Sequence, residues 1–156
     1  MWWSRRELLL ALTALAGCGF TPAYGPGGSA SVLRGRVAVE APATTEGYRL
    51  RQRLLRRLGG GGSDYLLSVT LSQEEGASAI APDGSTTRVR LVGRAGWRLE
   101  APDGAILGSG EVEGFTAFSA TGSTVAARTA RIDAEERLAL LLADRIATRL
   151  LALALP

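Results

Sequence analysis

This 156-residue chain contains no histidine and no lysine, and it has a single cysteine. The missing histidine removes the side chain most often used as a general base near neutral pH, and with it the commonest zinc ligand. One cysteine excludes an intrachain disulfide. Because Cys18 sits where a signal would be cleaved, it also leaves no thiol for nucleophilic chemistry. There is no Gly-x-Ser-x-Gly elbow and no phosphate loop: Gly59-Gly60-Gly61-Gly62-Ser63 lacks the lysine that would follow and reads as a turn. Acidic pairs such as Glu74-Glu75 and Glu111/Glu113 fit solvated strand faces better than an acid–base pair. The sequence therefore predicts a protein that is not an enzyme and carries no metal or cofactor. All eighteen basic residues are arginine, so any anion meeting this surface meets planar guanidinium forks.

What is present begins at the N-terminus. Met1-Trp2-Trp3-Ser4-Arg5-Arg6-Glu7 is followed by an apolar run over residues 8–16, and Leu15-Ala16-Gly17-Cys18 closes it. The run is too short to span the ~30 Å hydrocarbon core of a membrane. A basic start, an apolar stretch, small residues and then cysteine resemble a bacterial lipoprotein signal over residues 1–17. Enzymes that process such signals attach a diacylglycerol to the thiol, cleave before it and acylate the new amine, as with palmitate. Cys18 is thus the expected lipid attachment site, and several acyl chains at ~0.8 kcal/mol per buried methylene hold a protein firmly on a membrane. Arg5-Arg6 resembles a twin-arginine export signal but equally supplies the positive charge of any secretory signal. By the enterobacterial sorting rule, Gly19 points to the outer membrane.

Cleavage before Cys18 leaves 139 residues, the size of one domain with a sizeable core. It also lowers the net charge from +3 to about +2, which is too modest to suggest a nucleic-acid partner. Residues 18–31, rich in Gly, Pro and Ser, read as a tether, and residues 32–156 as a single α+β domain. Val37 and Val39 mark a short strand within residues 33–41. Thr44-Thr45-Glu46 offers a helix N-cap, and Tyr48, Leu50, Leu54, Leu55 and Leu58 recur at helical spacing until the glycine run. Arg49, Arg51, Arg53, Arg56 and Arg57 occupy the other face.

The period then switches to two. Tyr65, Leu67, Val69 and Leu71 share a face, and Pro82-Asp83-Gly84 makes a turn. In the next strand Val89, Leu91, Ala95, Trp97 and Leu99 point one way while Arg88, Arg90, Arg94, Arg98 and Glu100 point the other. Pro102-Asp103-Gly104 turns into a strand over residues 106–118, where glycines 108, 110 and 114 suggest a bulge or close approach. A long helix over residues 124–153 carries Ile132, Leu138, Leu142, Ile146, Leu150 and Leu153 on one side. The order β-α-β-β-β-α predicts a two-layer sandwich, a mostly antiparallel sheet of about four strands with two helices on one face.

Cys18-Gly19-Phe20-Thr21-Pro22-Ala23-Tyr24-Gly25 resembles the mature start of the lipopolysaccharide-assembly lipoprotein family LptE, in its alphaproteobacterial form, with Ala23 where leucine is more usual. The element order also resembles that family's fold. The resemblance implies an outer-membrane lipoprotein of Gram-negative envelopes whose partners are the β-barrel LptD, which it plugs, and lipopolysaccharide, which such proteins also bind. The phosphates of lipopolysaccharide are anionic, so the strand face with Arg88, Arg90 and Arg94 is the candidate contact. The rival expectation is an auxiliary lipoprotein of an ABC-type lipid transporter.

Overall fold

The computed structural model describes residues 29–80, 86–153 and 155. The signal, Cys18, the start of the tether and the turn Pro82-Asp83-Gly84 lie outside them. Seven elements follow in order: α1 Ser29–Leu33, β1 Val37–Glu40, α2 Thr45–Arg57, β2 Tyr65–Ile80, β3 Thr86–Glu100, β4 Ile106–Ser119 and α3 Thr124–Leu151. They form the expected α+β sandwich. The short helix α1 replaces the end of the tether and the start of the strand expected at residue 33.

The sheet runs β1-β2-β3-β4. β1 and β2 are parallel, with Val37 beside Tyr65 and Val39 beside Leu67, because α2 carries the chain back between them. The remaining pairs are antiparallel. Register follows the buried face: Leu67 opposes Leu99, Val69 opposes Trp97, and Leu71 opposes Ala95. Between β3 and β4 the turn is fixed locally. Gly104 takes φ +82, its N–H donates to the Ala101 carbonyl at 2.9 Å, and the Ala105 N–H donates to Asp103 Oδ1 at 3.0 Å. The register slips where Leu99 pairs with Gly108 but Glu100 with Ile106, so the bulge lies at Leu107.

Helix α2 begins as its sequence indicates, with Thr44 Oγ1 accepting from the Gly47 N–H at 3.1 Å. It ends in a Schellman arrangement: Gly59 adopts φ +83 and the Gly60 N–H reaches the Leu55 carbonyl at 2.8 Å. Its buried positions are Gly47, Leu50 and Leu54, whereas Tyr48 is 61% exposed. A Cβ at Gly47 would sit 2.1 Å from the Pro42 carbonyl oxygen. Only glycine lets the helix approach there, which rotates the buried stripe away from Tyr48. The arginine row faces the acids of α3 as well as solvent. Arg53 grips Asp144 through two hydrogen bonds of 3.0 and 2.9 Å, Arg57 reaches the same carboxylate at 3.4 Å, and Arg49 reaches Glu136 at 3.3 Å.

Helix α3 is capped by Ser123, whose Oγ accepts from the Ala126 N–H at 3.2 Å. Its buried stripe is Ala134, Leu138, Ala139, Leu142, Ala143, Ile146, Ala147 and Leu150. Ile132, expected in that stripe, is 43% exposed, because the helix buries Ala134 two residues later, about 200° around the axis. The helix lies close to the sheet over glycine. Gly93 and Gly114 are direct cross-strand partners. A Cβ on Gly93 would stand 2.9 Å from Leu138 Cδ2, and one on Gly114 2.8 Å from Leu141 Cδ2. Gly110 leaves room for the Trp97 ring, and Gly108 for Leu153. Among the described residues, those that are buried are all apolar or small, with no charged side chain among them.

Candidate functional site

Among the described residues, both long helices lie on one side of the sheet, which leaves its other face open. Strand alternation places Arg88, Arg90 and Arg94 on it, as the sequence indicates, with successive positions on that face about 6.8 Å apart. Their environments differ. Arg94 is held between two carboxylates, with Nε 3.0 Å from Glu113 Oε2 on β4 and Nη1 3.2 Å from Glu74 Oε1 on β2. The hydrogen bond to Glu113, then the charges of Glu113 and Glu74, raise its pKa above the usual guanidinium value. Its charge is compensated within the sheet, so it is the least available of the three for an outside anion.

Arg90 is presented differently. Its guanidinium carbon lies 4.3 Å from the centroid of the Phe115 ring, and Phe115 is itself 59% exposed. The ring supports the charge without neutralising it. Arg88 is exposed and makes no ion pair among the described residues. Together Arg88, Arg90 and Phe115 form a small surface, cationic and apolar at once, at the end of the sheet where β3 begins. Such a surface suits a ligand that joins an anionic group to an apolar body.

Phe115 escapes a reading based on β3 alone. The clue lies in β4, where Val112 is buried and Gly114 faces α3, which leaves Glu113 and Phe115 on the open face. Nearer the β3–β4 turn, Ser68, Thr70, Gly96, Trp97, Arg98, Glu100 and Ser109 line a shallow depression. It holds no arrangement of nucleophile and base. Among the described residues no group of three or more Asp, Glu, Cys or His could hold a metal ion, and no helix is long and apolar enough to cross a membrane.

Comparison with known proteins bears on the family and the fold. A family model described as "LptE: Lipopolysaccharide-assembly" matches residues 35–150, which takes in every strand, all of α2 and all but the last residue of α3. Among solved structures, a Caulobacter crescentus protein described as a lipoprotein superposes with a TM-score of 0.65 at 25% identity, covering 79% of this chain and 92% of that one. A minor lipoprotein from Acinetobacter baumannii gives 0.60 at 19% identity, covering 78% and 97%. The rare lipoprotein B of Shewanella oneidensis gives 0.54 at 16% identity, covering 73% and 90%. The last two likenesses concern the fold alone. None of the curated proteins matches the chain.

Proposed function

The chain belongs to the LptE family of lipopolysaccharide-assembly proteins, a family of assembly factors rather than enzymes, and on that premise we propose that it is an outer-membrane lipoprotein that plugs the β-barrel LptD. Acylated Cys18 would anchor it to the periplasmic leaflet, residues 18–28 would lead to the domain, and the barrel so plugged would deliver lipopolysaccharide to the surface. The observation that carries this reading is the family match over residues 35–150, joined to the Cys18–Gly25 segment just upstream of it.

The shape supports it. A 28-residue helix is about 42 Å long and a 16-residue strand about 53 Å, so the domain exceeds the ~30 Å thickness of a bilayer core. Wide barrels have polar lumens. The open sheet face, with its Arg94–Glu113–Glu74 network and hydroxyl-lined depression, is suited to such walls. In this reading Arg88 and Arg90 meet lipopolysaccharide phosphate, Phe115 meets its apolar part, and Arg94 orders the strands beside them.

Depletion of the protein tests the proposal. The expected result is loss of correctly assembled barrel and of surface lipopolysaccharide, with increased sensitivity to large hydrophobic antibiotics. An unaltered barrel and surface would overturn it. Recovery of an ABC transporter in pull-downs would then favour the auxiliary-lipoprotein reading.

A further inference from the structure

A second arginine cluster lies at the opposite end of the domain from Arg88 and Arg90. The topology gathers several termini there: the chain enters through α1, α2 and α3 both end, and β2 begins. The Gly35 N–H donates to the Leu58 carbonyl at 2.8 Å, which pins the α1–β1 turn against the end of α2. Arg34, Arg56 and Arg57 line an open groove at this end with Leu58, Gly59 and Leu151. The stem of Arg34 rests on Gly59, where a Cβ would be 2.6 Å from Arg34 Cγ.

Charge at this end is unbalanced. Arg34 and Arg56 are exposed and make no ion pair among the described residues. The nearby acids are already engaged, Asp64 with Arg36 at 2.7 Å and Asp144 with Arg53 and Arg57. Beside the arginines, Leu151, Leu153 and Leu155 are half-buried at the end of α3. Ser29, the first described residue, is eleven residues beyond Cys18, so even a fully extended lead spans at most about 40 Å. An anchor at Cys18 therefore keeps this end near the membrane.

From the position of this cluster beside the entry of the chain, we infer that Arg34 and Arg56, with the ion-paired Arg57 beside them, form a docking surface for the anionic phospholipid headgroups of the leaflet that holds the anchor. The cluster sets this end of the domain at the headgroups of the anchoring leaflet and leaves Arg88 and Arg90 at the far end of the domain, about 50 Å along β2. Guanidinium groups pair with phosphate oxygens in bidentate fashion, and each basic residue near an anionic membrane adds roughly fivefold to the docked population. The inference rests on the lipid anchor of the proposed function, and its test separates the two.

The full-length lipidated protein, carrying Ser63→Cys labelled with a donor fluorophore beside α2, is reconstituted into vesicles that contain a headgroup acceptor dye. Energy transfer should be higher in vesicles with 30% phosphatidylglycerol than in pure phosphatidylcholine, and 0.5 M NaCl should abolish the difference. Arg34→Glu with Arg56→Glu should shift the docked population by ~25-fold or more, and Arg128→Glu with Arg137→Glu should leave it unchanged. Equal transfer in both vesicles, or insensitivity to the first pair of reversals, overturns the inference. Loss of the difference on adding inorganic phosphate at constant ionic strength also overturns it, in favour of a free-phosphate site. Flotation reads the anchor independently. A lipidated protein floats with both vesicle types, flotation with anionic vesicles alone refutes the anchor and supports the docking surface, and flotation with neither refutes both.

Discussion

The cross-strand pair Gly93 and Gly114 sets how closely α3 packs on the sheet, and alanine at position 93 tests this directly. The new methyl would lie 2.9 Å from Leu138 Cδ2 and 3.1 Å from both Leu138 Cγ and Leu142 Cδ1. Leu138 and Leu142 are almost wholly buried, so neither can swing into solvent, and the helix or the strand must move instead. Overpacking of this kind costs ~1–3 kcal/mol. Restricting the unfolded chain returns ~0.4–1 kcal/mol, which leaves a net loss of ~1–2 kcal/mol. In a domain of this size that lowers Tm by roughly 4–8 °C. Gly76→Ala on β2 is the internal reference, because a Cβ there meets nothing within 4 Å. It should leave Tm unchanged or slightly higher. Thermal denaturation followed by far-UV circular dichroism reads both variants. If Gly93→Ala melts with Gly76→Ala, α3 does not press on the sheet at that point, and the close approach of helix to glycine pair is refuted.

Trp97 is 7% exposed, and its buried Nε1 has no hydrogen-bond partner among the described residues. Trp97→Ala should cost ~3–5 kcal/mol by denaturant unfolding, whereas Trp97→Phe should cost far less, since it removes the unpaired N–H; equal losses would contradict this placement. Stability should be flat between about pH 6 and 9, because no histidine titrates there. The raised pKa values of Arg36, Arg53, Arg94 and Arg131, due first to hydrogen bonds to Asp64, Asp144, Glu113 and Glu135, stabilise the fold throughout this window and, on the alkaline side, fade only in extreme alkali. A Tm change above about 3 °C across that window would show that another group is linked to folding.

Much of this architecture is legible in the sequence because two periodicities are clean. Alternation in β3 assigns Leu91, Ala95, Trp97 and Leu99 to the core and the arginines to the open face. Thr44 and the glycine run bound α2 through local chemistry alone. What escapes depends on contacts distant in sequence. Tyr48 loses its place to Gly47 because of the Pro42 carbonyl, which helical spacing does not encode. Arg94 looks equivalent to Arg88 until the register puts Glu113 and Glu74 on either side of it. The stack of Arg90 on Phe115 and the meeting of Arg34 with Arg56 likewise follow only once strand order and chain direction are known.

The central claim is that this domain fills an outer-membrane barrel, and site-specific photocrosslinking in living cells tests it most directly. A photoreactive residue at Ser109 or Thr70, both on the open sheet face and lining its shallow depression, should crosslink to one large β-barrel whose yield falls when the protein is depleted. Crosslinks at both positions to an ABC transporter component, with the barrel absent from the products, would contradict the account.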